Sequence, residues 1–134
     1  MRVLHVLIAL TCLSGMVRCS KKTGPDPGGN PDNSKVSYSI RGDYSGELTI
    51  TYMKANGIRN TMKGISLPWD LSINPNSDVT LVYFKASTGL DDKPGKSGEK
   101  AESRLYIGGQ IYSLFRSTAN AKGKLVSDSL WYNY

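Results

Sequence analysis

From Val36 to Tyr132 apolar and polar residues alternate with a period of two, and no segment repeats apolar residues at helical spacing between end caps. Val36, Tyr38 and Ile40 alternate with Ser37, Ser39 and Arg41, and Leu48, Ile50 and Tyr52 alternate with Glu47, Thr49 and Thr51. Successive side chains of an extended chain point to opposite faces, so such runs make strands with one packed face and one wet face. Val79 to Phe84 is more continuously apolar and predicts a central strand. Arg104 to Ile107, Gln110 to Arg116 and Leu125 to Tyr132 complete the set. Ile58 to Leu67, diluted by Asn60, Lys63 and Gly64, predicts a weaker strand. Asn56-Gly57 and Gly108-Gly109 supply the positive φ values that tight hairpins demand. Short strands between turn signals predict an all-β fold, an antiparallel β-sandwich of about seven strands, with a small closed barrel as the alternative. An outer-membrane barrel does not fit, because the runs lack a continuous lipid-facing band.

The first residues follow a different rule. Met1-Arg2 precedes a mostly apolar run, Val3 to Val17, that matches an export signal and is shorter than the ~20 apolar residues a membrane span needs. Cys19 comes next, and then Ser20 to Ser34, rich in Pro, Gly, Asp, Asn, Lys and Ser, which has nothing to bury and predicts an extended spacer. Signals of bacterial lipoproteins end at a cysteine whose thiol carries the acyl group. Cys19 is therefore the expected site of lipidation by palmitate or a related chain, with Cys12 as the competing acceptor. Arg18 departs from the small residue usual before that cysteine, and Met16 from the usual leucine. The expected organisation is a lipoprotein signal peptide over 1–18, a lipidated cysteine and flexible tether over 19–34, and one domain over 35–134. The expected location is the Gram-negative cell envelope, as an outer-membrane lipoprotein or in the periplasm, held to the lipid bilayer through Cys19.

Cleavage before Cys19 removes the only histidine, His5, and with it Cys12. The domain is then without the commonest general base, the commonest transition-metal ligand and any thiol nucleophile. Its carboxylates, Asp43, Glu47, Asp70, Asp78, Asp91, Asp92, Glu99, Glu102 and Asp128, fall mostly in turns, at strand ends or in a polar loop, and form no catalytic constellation. Enzymatic activity, a cofactor and a metal are not expected. Asn74 to Asp78 has the oxygen spacing that opens a calcium loop, yet Val79 and Lys85 stand where the glycine and the bidentate acid belong. Asp91-Asp92 reads as an exposed acidic turn. Losing Arg2 and Arg18 lowers the formal charge from +6 to +4, spread over scattered lysines, so nucleic acid is not an expected partner. Leu90 to Ser103 is polar and broken by Gly and Pro, and predicts a long mobile loop.

Aromatic residues supply the candidate sites. Pro68 ends the weak strand, and Trp69 beside it is expected to seal one end of the sandwich. Trp131 and Tyr132 fall on opposite faces of the last strand, so one of them is expected in solvent. With Tyr44 or Tyr83 nearby, it would form a platform for a glycan or a partner protein. Arg41-Gly42-Asp43 spells the integrin-binding tripeptide, but it occupies a turn where Gly and Asp are expected in any case.

Taken together, VSYSIRG (36–42), LTITY (48–52), NG (56–57), SLPWD (66–70), VTLVYF (79–84) and LYIGGQIY (105–112) occur in an order that resembles the soluble domain of the MmpS (mycobacterial membrane protein, small) family and related small lipoproteins of Bacteroidetes. The resemblance covers nearly all of Lys35 to Trp131. It implies an immunoglobulin-like β-sandwich that is non-catalytic and serves as an accessory to large lipid and siderophore exporters. The chain departs from the family in its lipoprotein-type cysteine, where a transmembrane helix is usual, and in lacking a cysteine pair in the domain. The expected function is that of a membrane-tethered interaction module whose partner is a membrane protein or exporter complex. The alternative is a carbohydrate-binding or adhesive surface protein that uses exposed aromatics.

Overall fold

The computed structural model describes residues 35–126 and 129–134, so Cys12, Cys19, the tether and Asp128 lie outside the described residues. Eight strands follow one another: β1 (Val36–Gly42), β2 (Leu48–Met53), β3 (Arg59–Ile65), β4 (Trp69–Ile73), β5 (Leu81–Ser87), β6 (Lys100–Ile107), β7 (Gln110–Thr118) and β8 (Ser129–Asn133). They form two antiparallel four-stranded sheets, ordered β4-β1-β6-β7 and β3-β2-β5-β8. The fold is an all-β antiparallel sandwich, as the alternation predicts. Only β2–β3 and β6–β7 are hairpins within a sheet; every other connection crosses from one sheet to the other.

The packed faces are the apolar halves of the alternating runs. Val36, Tyr38 and Ile40 of β1 and Leu105 of β6 meet Leu48 and Ile50 of β2 and Val82 and Phe84 of β5, all fully buried or nearly so. Burying a side chain of this size contributes roughly 1.5–3 kcal/mol. Tyr38 ties the two layers together. Its ring lies 5.2 Å from that of Phe84, and its hydroxyl donates to the Met53 carbonyl across the sandwich at 2.8 Å. Burial pushes its phenol far above the ordinary tyrosine value.

Two expectations are corrected. The chain does not stop being extended at Pro68. After a cis Leu67–Pro68 bond it changes sheets, and Trp69–Ile73 pairs with β1 as an eighth strand, Trp69 opposite Ile40 and Ile73 opposite Val36. The expected weak run Ile58–Leu67 is β3, and β4 is a further strand on the opposite side of the core. The segment from Leu90 to Ser103 is not one long mobile loop either. Lys100 to Ser103 belong to β6, with Ala101 and Ser103 buried. The remainder is tied down by its own acids. Glu99 accepts from the Ser45 and Lys96 amides, both at 2.9 Å. These backbone donors hold its carboxyl below the usual glutamate range.

Asp92 is the clearer case, because the expected exposed acidic turn holds a carboxylate only 7% exposed. It accepts from Thr49 Oγ1 and the Gly89 amide, both at 2.7 Å, and from the Gly64 amide at 3.3 Å. Burial raises its pKa, but these donors and the charge of Lys63 outweigh burial and hold the group below the ordinary aspartate value. Asp91 beside it is exposed, as expected. Tyr44 secures the same end of the sandwich, donating to the Gly123 carbonyl at 2.9 Å and accepting from the Gly95 amide at 3.1 Å. Gly123 has φ +70°, and a Cβ there would stand 2.0 Å from the Gly95 carbonyl oxygen. Only glycine fits.

Candidate functional site

The outer faces of the two sheets carry the polar halves of the alternating runs. On β3-β2-β5-β8 the strand registers place side chains in rows. Arg59 of β3 stands opposite Met53 of β2, and Tyr83 of β5 opposite Trp131 of β8. Tyr52 faces Phe84 on the inner side, which brings Met53 and Tyr83 side by side on the outer one. The row Arg59–Met53–Tyr83–Trp131 thus crosses all four strands. Arg59 reaches over the buried Met53 and sets its guanidinium 4.4 Å from the centre of the Tyr83 ring. Such a contact is worth about 0.5–1 kcal/mol at an exposed site. Next to this row runs a second one of Thr61, Thr51, Lys85 and Ser129. Thr51 and Thr61 share a hydrogen bond at 3.0 Å, and Ser129 bonds the Tyr83 hydroxyl at 3.0 Å.

Trp131 is 59% exposed. The expectation that Trp131 and Tyr132 part company across the strand holds. Tyr132 points inward and is half-buried, edge-on to Tyr112 at 4.5 Å and to Tyr134 at 4.9 Å. Trp69 is half-buried too, stacked on Phe84 at 6.0 Å and 17° and set 6.0 Å from Tyr52. It fills the core, so only Trp131 of the three is a surface aromatic. Of the two tyrosines expected as its neighbour, Tyr83 is the one in place, while Tyr44 is buried at the loop end. Arg59 and Met53 carry no signal in the sequence beyond their place in alternating strands. Their role depends on register, which the sequence does not show.

The charge on this face is of one sign. None of β2, β3, β5 and β8 contains an acidic residue, while Arg59, Lys63 and Lys85 project from the outer face. Among the described residues carboxylates approach at its two ends: Asp91 lies 3.6 Å from Lys63 and Asp92 is taken up by Thr49, Gly64 and Gly89, while at the other end the exposed Asp78 borders a surface hollow with Met53 and Leu81.

On the outer face of β4-β1-β6-β7 the arginines are paired instead, with Lys100 as a further cation. Arg41 pairs with Asp70 at 2.5 Å, and Glu102 is held by Arg104 and, at 2.6 Å, by Arg116. Hydrogen bonding from Arg104 and then Arg116 lowers the Glu102 pKa. The Arg41-Gly42-Asp43 tripeptide is consumed by the fold, since Arg41 is in that ion pair and Asp43 accepts from the Lys100 amide at 2.6 Å. Among the described residues no three of His, Cys, Asp and Glu converge as metal ligands. The chain matches no protein-family model and no curated protein.

Proposed function

We propose that the protein is a membrane-tethered, extracytoplasmic, non-catalytic binding module whose working surface is the outer face of the β3-β2-β5-β8 sheet. The observation that carries this reading is Trp131, a large indole left in solvent on a regular strand while Trp69 is packed into the core. Apolar side chains standing singly in solvent are common. Here the indole stands in one row with Tyr83 and Arg59, and these three residue types dominate the energetics of binding surfaces. The tether of this reading is an acylated Cys19, which keeps the module at the bilayer of the cell envelope.

Two ligand classes suit such a surface. One is a protein of a membrane complex, the exporter among them, which the MmpS resemblance supports. The other is a carbohydrate, favoured by the hydroxyl row of Thr61, Thr51 and Ser129 beside the indole. A photo-reactive residue placed at Trp131 in cells tests the face itself. Adducts that form there, and not from a control position at Arg116 on the other sheet, support it; equal labelling at both positions contradicts it. Intact-mass measurement of the membrane-extracted protein tests the tether, with a diacyl or triacyl mass on a chain beginning at Cys19 as the expected result.

A further inference from the structure

We infer that this face takes an acidic polysaccharide, with sugar rings against the Trp131 indole and their carboxylate or sulfate groups answered by Lys85 and Arg59. The inference rests on the reading of this face as the binding surface and goes on to its chemistry. Three observations support it, the first being charge. No strand of the sheet contains an acid, and Lys85 and Arg59 stand in the two rows next to and including Trp131, away from the Asp91 and Asp92 end. Among the described residues the acids stand at the ends of the face, Asp91 by Lys63 and Asp78 by Met53, so a polyanion meets attraction along its middle, at Lys85 and Arg59.

The second is the company the indole keeps. A protein hot spot is ringed by residues that exclude water. Around Trp131 and Tyr83 stand Ser129, Lys85, Thr51 and Thr61, polar side chains of which Lys85 and the exposed Thr61 can meet the hydroxyls of a sugar. The flat indole presents a negative π-face to the polarised C–H bonds of a pyranose. The third is shape. The rows lie on an open sheet surface between short side chains, which accepts an extended chain of sugars. A bilayer would meet Lys85, Thr51, Thr61 and Ser129 beside the projecting indole, polar groups that oppose entry into the acyl region.

The test uses the full-length protein in detergent micelles, immobilised, with polygalacturonate and dextran sulfate as acidic probes and dextran as the neutral one. Vesicles of phosphatidylglycerol and phosphatidylcholine form a separate arm. We expect the acidic polymers to bind at least about tenfold more tightly than dextran at low salt and to weaken as salt screens the charges. Trp131→Ala, with its β-rich circular dichroism retained, is expected to lose about tenfold in affinity, the size of a buried hot-spot contact. Lys85→Gln is expected to lose about two- to fivefold, as for an exposed charge pair. Equal binding of dextran would remove the acidic part of the inference and leave a neutral-sugar face. Losses from Lys96→Gln and Lys122→Gln as large as from Lys85→Gln would show attraction by net charge alone and overturn the inference. So would binding to anionic vesicles without polymer binding, or no change with Trp131→Ala. If no polysaccharide binds while cross-linking at Trp131 still yields a protein adduct, the binding face stands and the acidic-sugar ligand falls.

Discussion

The two outer faces of this sandwich arise from the same strand alternation and differ in how their charges are used. On β4-β1-β6-β7 each of the three arginines has a carboxylate partner, and Glu102 serves two of them. On β3-β2-β5-β8 the strands hold no acid at all, and a tryptophan stands in the open. Ion-paired arginines hold a surface in one arrangement. A face whose strands contain no acid and that carries an exposed aromatic offers interactions that the fold itself does not consume. The contrast is what singles out the β3-β2-β5-β8 face in the proposal above.

The largest effect is expected at the boundary of the cationic face, where Asp92 gathers the loop against β2 and β3. Asp92→Ala leaves three donors without their buried acceptor and should cost about 2–3 kcal/mol in urea denaturation. Its pH dependence has a definite sign. The folded state holds this carboxyl below its ordinary value of 3.8, so its contribution is full above that pH and is lost as pH falls through the lower folded value. Asp92→Asn should therefore flatten the acid limb of stability in part, the rest coming from Glu99, Glu102 and Asp70, whose values are shifted the same way.

A smaller effect is expected on the face of paired arginines. Glu102→Gln should lower stability by no more than about 1 kcal/mol, because the pair is partly hydrated, and should leave ligand binding unchanged. A clear loss of binding there would erase the contrast between the faces. Trp131→Ala should move stability by about 0.5 kcal/mol or less, as for exposed positions, while abolishing most of the acrylamide-quenchable fluorescence. Trp69, the other tryptophan, remains as the shielded emitter. The smallest effect belongs to Lys85→Gln, which should be indistinguishable from wild type in thermal melts and should report only in binding.

Much of the fold was legible because alternation is a local property. β1, β2 and β7 coincide closely with alternating runs, and the opposite facing of Trp131 and Tyr132 follows from the same period. β4 was hidden because WDLSI is short, contains Asp70 and follows a proline, a residue that reads as an ending. In the structure Pro68 is a corner between sheets. The part of Leu90–Ser103 ahead of β6 reads as a mobile loop for a related reason. Polar composition suggests solvent, yet Asp92 and Glu99 are acceptors for backbone amides that would otherwise lack partners. The proposed binding face was half legible. Trp131 and Tyr83 could be named as residues, but their adjacency depends on which strands pair, and pairing is settled by distant parts of the chain.

Arg116 has one more consequence. It projects from β7, an edge strand that borders only β6 among the described residues, has no proline, and carries exposed Ile111 and Tyr112. Held by Glu102 yet 75% exposed, its side chain puts a charge on a rim where other molecules could otherwise add a strand. That charge protects the rim, and Arg116→Ala is expected to show first as turbidity in concentrated samples that still melt normally.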